Sequence, residues 1–86
     1  MAYSVGFRSV KVIENATEGV LGAQGSYVLV EVTSEVDTKF YPNDFPEQGH
    51  PARYGIPIKA GQTRQIPMAV YNFRADHPVT VVAYGQ

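Results

Sequence analysis

The 86-residue chain contains no cysteine and no tryptophan. Without cysteine there is no disulfide scaffold, no thiolate zinc site and no thiol nucleophile, an absence that fits a reducing compartment. Charge is scarce as well: seven basic and eight acidic side chains leave a formal net charge of -1. So neutral a chain lacks the long-range attraction that draws basic proteins to phosphate backbones and anionic lipid. No apolar run approaches bilayer length, and the opening MAYSVGFRSV has neither a basic start nor an unbroken apolar stretch of the secretory kind. The expectation is a protein that is not exported and has no membrane partner.

What is present is ordinary for a folded chain, with 44% hydrophobic and 12% aromatic residues. The length allows one domain, residues 1–86, with no room for a second core. At this size apolar burial barely offsets conformational entropy. With neither disulfides nor metal ligands to help, a homo-oligomer or a larger assembly is one way to gain the missing stability.

Strand patterns dominate the chain. Val5 and Phe7 fall on odd positions and Val10 and Val12 on even ones, so the phase changes near Arg8 and Ser9. Such a change predicts a bulge, or a strand that passes from one sheet to another. The stretch from Asn15 to Gly25, punctuated by Gly19 and Gly22, reads as a loop. SYVLVEVT, from Ser26 to Thr33, is the clearest strand, its first half expected to be buried on both sides. A shorter strand follows from Val36 to Tyr41. Residues 42–57 hold Pro42, Pro46, Pro51 and Pro57, too many missing amide donors for the middle of a sheet, and read as a long irregular loop. Beyond it the pattern predicts strands at Tyr54 to Ile58, Thr63 to Phe73 (interrupted at Pro67) and Val79 to Tyr84, with turns at Lys59-Ala60-Gly61-Gln62 and Ala75-Asp76-His77-Pro78. The fold class is all-β, a small antiparallel β-sandwich or barrel with a long Pro-rich loop.

Chemistry is thinly represented. His50 and His77, with Asp44, Glu47 and Asp76 near them in sequence, have no metal-ligand spacing, and both histidines precede prolines as turn residues do. No metal or cofactor is expected. Ser4, Ser9, Ser26 and Ser34 stand in no nucleophile elbow. Glu35 and Asp37 read as solvated charges rather than a glycosidase pair. The chain is therefore expected not to be an enzyme. Gly6-Phe7-Arg8, Arg53-Tyr54 and Phe73-Arg74 pair aromatics with arginine as single-strand-binding barrels do, but the slightly acidic balance opposes nucleic acid as a partner. A small single-strand nucleic-acid-binding barrel is the alternative of a different class. Sugar binding on Tyr41, Phe45 and Tyr54 lacks the usual tryptophan platform. Asn15-Ala16-Thr17 is a glycosylation sequon without meaning in a protein that is not exported.

The carboxyl-terminal third, IPIKAGQTRQIPMAVYNFRADHPVTVVAYGQ from Ile56, resembles the end of small virion proteins of tailed bacteriophages. The matching pieces are the turn Ala60-Gly61-Gln62, the segment Ile66-Pro67-Met68, the turn at Ala75-Asp76 and the final run from Val79 to Gly85. The resemblance implies a capsid decoration or cement protein located in the virion and made in the host cytoplasm. Another head-tail or fibre component is the alternative. Its partners would be the major capsid protein or other virion subunits. Such a subunit acts by burying surface across joints, and aromatics and arginine dominate interface energies. Tyr41, Phe45, Arg53 and Tyr54 of the Pro-rich segment from Tyr41 to Tyr54 are the first candidates for the partner interface. Tyr3 and Phe7 of the arm from Met1 to Phe7 are the second, through strand addition to a neighbour.

Overall fold

The structure, a computed structural model, describes residues 9–22, 27–44, 49 and 54–85. Among the described residues there are six strands: β1 (Ser9–Val20), β2 (Tyr27–Thr33), β3 (Thr38–Pro42), β4 (Ile56–Ile58), β5 (Thr63–Ile66) and β6 (Asn72–Gly85). They form one antiparallel sheet, nearly closed into a barrel, and no described residue is helical. The all-β expectation holds.

The sheet is simplest as four ribbons creased across the middle. β1 lies along the whole of β6, from Ser9↔Gly85 to Val20↔Asn72. On its other side β6 pairs first with β3 (Phe40↔Ala75) and then with β2 (Thr33↔Thr80), so β2 and β3 act as one interrupted ribbon. β5 and β4 repeat this outside it, at Thr33↔Thr63 and Thr38↔Ile58. Every ribbon is irregular at the same level. In β1, Glu14 and Asn15 stand opposite the single residue Thr80, and Asn15 takes a left-handed backbone with φ 53°. In β6, residues 75–78 oppose only Thr17 of β1. Bulges bend strands and add twist, and a row of them folds a sheet.

The crease is hydrogen-bonded by short polar side chains. Buried Ser34 Oγ donates to Val36 O at 2.7 Å, and buried Thr38 Oγ1 accepts the His77 N–H at 3.0 Å. Asp37 Oδ1 accepts the Ala60 N–H at 2.9 Å, and Ser34 O accepts the Gly61 N–H at 2.8 Å. These bonds take up main-chain groups that the bulges remove from the ladder.

Folding the sheet encloses one core. Val30, Val32, Ile66, Val79, Val81 and Ala83 face inward from one half, and Phe40, Ile58, Phe73 and Ala75 from the other. The Phe40 and Phe73 rings stack with centroids 5.3 Å apart. Gly19 sits opposite Phe73, where an added β-carbon would lie 2.8 Å from the ring. The open end is plugged by buried Leu21 and Val70, from the connections after β1 and β5. These connections meet: the N–H groups of Leu21 and Gly22 both donate to Tyr71 O.

Several sequence expectations are corrected. β1 continues through Asn15 to Val20, where a loop was expected, because the glycine at 19 accommodates a ring rather than breaking a strand. β6 is a single strand from Asn72 to Gly85; the turn expected at Ala75-Asp76-His77-Pro78 is a bulge within it. Thr63 to Phe73 is not one strand: β5 ends at Ile66, and Pro67 stands in the connection to β6. In β2 the second half is the buried one, with Val30 and Val32 inside and Val28 exposed. The long loop expected over residues 42–57 does not hold at either end, since Pro42 closes β3 and Pro57 lies in the edge strand β4, and residues 45–48 and 50–53 lie outside the described residues. Pro46 and Pro51 lie outside the described residues.

Candidate functional site

Of the six residues singled out for a partner interface, Tyr3, Phe7, Phe45 and Arg53 lie outside the described residues. Tyr41 and Tyr54 are described; Tyr41 stands on the outer face of β3 beside Arg74, and Tyr54 precedes β4. Tyr54 is 80% exposed, just ahead of β4. Tyr41 is half-buried and has a defined set of contacts.

The register places Tyr41 directly across from Arg74, and the Arg74 guanidinium carbon stands 4.1 Å from the centre of the Tyr41 ring. Arg74 Nε donates to Asp44 Oδ2 at 3.0 Å, and its terminal nitrogen lies 3.7 Å from Asp76 Oδ1. The Tyr41 hydroxyl donates to Asp76 Oδ2 at 3.2 Å. Arginine thus stacks on the ring while both carboxylates hold its edge, a geometry that lysine cannot reproduce. Desolvation, followed by the hydrogen bond to Asp76 and its charge, holds the Tyr41 phenol above its ordinary value. Arg74 is raised in turn, chiefly by its hydrogen bond to Asp44.

The platform under this cluster is rigid. Asn43 adopts a left-handed backbone, φ 57°, and its side chain is wholly engaged: Oδ1 accepts the Tyr71 N–H at 2.7 Å, and Nδ2 donates to Ala69 O at 2.9 Å. Its own N–H donates to Asn72 O at 2.7 Å, and Asn72 Nδ2 donates to Asp44 O at 2.8 Å. The segment that follows β3 therefore departs from a fixed base. Asn72 Oδ1 is enclosed with no partner among the described residues.

A second feature is the edge of β1 away from β6, which pairs with no strand among the described residues. Val10, Val12 and Val20 are 58%, 51% and 68% exposed along this one strand. Val10 lies across from Tyr84 and Val12 from Val82, and Tyr84 in turn neighbours Leu29, so an apolar band crosses β1, β6 and β2 on the outer face. The opposite edge differs. Pro57 removes an amide donor from β4, and Arg64 reaches over from β5 to donate to Pro57 O at 3.1 Å. Lys11 is the only cation on the Ser9–Ile13 part of β1. Edges of this kind are where chains add strands.

Other sequence candidates resolve differently. Phe73 is a core ring stacked on Phe40, so Phe73-Arg74 offers no exposed stacking face. Asp44 and Asp76, weighed as ligands beside the histidines, are both spent on Arg74, and His77 stands at the crease. Glu47 and His50 lie outside the described residues. Asp37 caps the turn at Ala60, which separates it in role from Glu35. The cluster of Arg74 with Asp44 and Asp76 was missed as a unit because Asp44 is 30 residues from Arg74 and meets it only through strand register. Compared with family models, with curated proteins and with solved structures, the chain gives no match in any of the three.

Proposed function

We propose that this protein is a non-enzymatic structural subunit of a phage virion, a capsid decoration or cement protein that strengthens the shell by bridging its subunits. The observation that carries the reading is the edge of β1 that no described strand covers, with Val10 and Val12 exposed on it and an apolar band continuing from them across β6 and β2. Isolated surface valines are unremarkable, but a contiguous group on an open sheet edge marks a contact surface. Tyr41 with Arg74 supplies a second surface with the composition of an interface anchor, aromatic and arginine side chains on a rigid base, and Tyr54 is exposed just ahead of β4. The resemblance of the carboxyl-terminal third to small virion proteins supplies the identity of the partner, the major capsid protein or another virion subunit.

The test is sedimentation of the purified chain with expanded capsids, alongside mass spectrometry of purified virions. Binding that is lost in Val12→Lys, with particles lacking the protein bursting at lower temperature, supports the reading. Presence in the virion without an effect on bursting moves the assignment to a head-tail or fibre component. Absence from the virion, together with salt-sensitive binding of single-stranded oligonucleotides, would replace it with the nucleic-acid class.

A further inference from the structure

A cavity of about 540 Å³ opens at the crease, within the range of small-ligand clefts. Its place follows from the bulges. Glu14 and Asn15 bow out opposite Thr80, while residues 34–37 leave the ladder between β2 and β3. The side chains around the opening include Asn15, Thr33, Glu35, Val36, His77 and Thr80.

Asn15 is the informative member. The described residues include two asparagines with left-handed backbone, Asn15 and Asn43. The amide of Asn43 is consumed by the fold, whereas that of Asn15 has no hydrogen-bond partner among the described residues; only its main-chain N–H is engaged, donating to Thr80 Oγ1 at 3.3 Å. Its backbone serves the bulge while its side-chain amide serves no contact among the described residues, and a non-glycine residue in this conformation is the kind of local strain found at binding sites.

The lining selects a chemical class. Among the described residues Glu35 is its one carboxylate and none of its lining is lysine or arginine, so an anion would meet repulsion and no counter-charge from them. A single exposed carboxylate does not make a cage for a cation. A neutral polyol fits better, because an amide and a carboxylate each engage hydroxyl groups that both donate and accept; the hydroxyls of Thr33, already bonded to Thr63 Oγ1 at 3.0 Å, and of Thr80, which accepts the Asn15 N–H, keep part of their capacity for the same use. Val36 and Pro78 supply apolar wall for the C–H face of a ring. We propose that the crease cavity, through Asn15, Glu35, Thr33 and Thr80, is a binding site for a neutral saccharide. The site takes Asn15 from β1 but none of the exposed valines of that strand, and it does not depend on the virion reading.

Amide NMR of the full chain, titrated with the methyl α-glycosides of glucose, galactose and mannose to about 20 mM, tests it in the millimolar range that a few hydrogen bonds provide. Saturable shifts with at least one glycoside are expected, confined to residues 14–16, 33–36, 77, 79 and 80. Glu35→Gln and Asn15→Gly, the latter keeping the backbone conformation accessible, should each weaken binding roughly five- to tenfold with an otherwise unchanged spectrum. No saturable shift with any of the three, shifts centred on Tyr41 and Tyr54, variants that bind like the parent, or an equal response to methylammonium or inorganic phosphate would each overturn the proposal.

Discussion

Gly55 lies beneath the ring of Tyr41, so close that a β-carbon at position 55 would stand 2.8 Å from Tyr41 Cε1 and 2.8 Å from Lys39 Cβ. The ring covers the glycine on the edge ribbon and is itself covered by Arg74. Gly55→Ala is therefore expected to displace Tyr41 and to destabilise the protein by about 1–3 kcal/mol, the usual effect of overpacking. Urea unfolding measures the loss, and the chemical shift of the Arg74 side chain reports whether the stack has opened.

Phe73 anchors the core from β6, stacked on Phe40 and facing Gly19. Phe73→Ala should cost about 3–5 kcal/mol, much of the stability of a domain this small. Phe73→Leu keeps most of the volume and is expected to remain folded, with a lower urea midpoint and an unchanged slope.

Asn43 separates backbone conformation from hydrogen bonding. Asn43→Ala loses both side-chain bonds and places a β-carbon in the left-handed region, whereas Asn43→Gly loses the bonds alone. Both should destabilise, with Ala worse than Gly by roughly 1 kcal/mol. Equal midpoints for the two would show that the φ angle contributes nothing.

Glu31 couples the outer face of β2 to pH. It accepts from Gln65 Nε2 at 2.9 Å and from the Tyr84 hydroxyl at 2.7 Å, and these bonds, Gln65 first, hold its carboxyl below the usual range. The unfolded chain then binds more protons, so the contribution is complete above about pH 4.3 and is lost as pH falls through the lower native value. Tyr84 moves the other way, raised first by its bond to Glu31. Its contribution is complete below about pH 10 and is lost as pH climbs through the raised native value. Melting temperature against pH should fall at both ends, and Glu31→Gln should flatten the acid limb.

Val12→Lys distinguishes contact from folding. Val12 is about half exposed on an edge strand, so the substitution should change stability by less than about 0.5 kcal/mol while removing capsid binding. A large fall in melting temperature would mean that the β1 edge is already covered by this chain.

Much of this architecture could be read from residue order. Val30 and Val32 in β2 and Val79 and Val81 in β6 show the period-2 burial that their spacing announces. Reading failed where one residue answers to a distant one. Gly19 looks like a strand breaker until Phe73 is placed against it, and His77-Pro78 looks like a turn until Thr38 takes the His77 N–H and the strand continues. On β1, Val10, Lys11 and Val12 are all exposed, because an edge strand has no obligation to hide either face. The candidate site was half visible for the same reason: Tyr41 and Tyr54 announce themselves as aromatics beside prolines, whereas Arg74 acquires its role only when β6 lies against β3.

The pairing of the third and fourth ribbons runs through the crease without a slip: from Thr33↔Thr63 to Thr38↔Ile58 both chains advance five residues. The segments 34–37 and 59–62 are therefore matched in length. Deleting one residue from either alone would turn Ile58 or Ile66, Phe40 or Val32, from interior to surface in one half and leave the other half untouched. Only paired changes preserve the inside of the molecule, so in any descendant of this sequence the two segments must lengthen or shorten together.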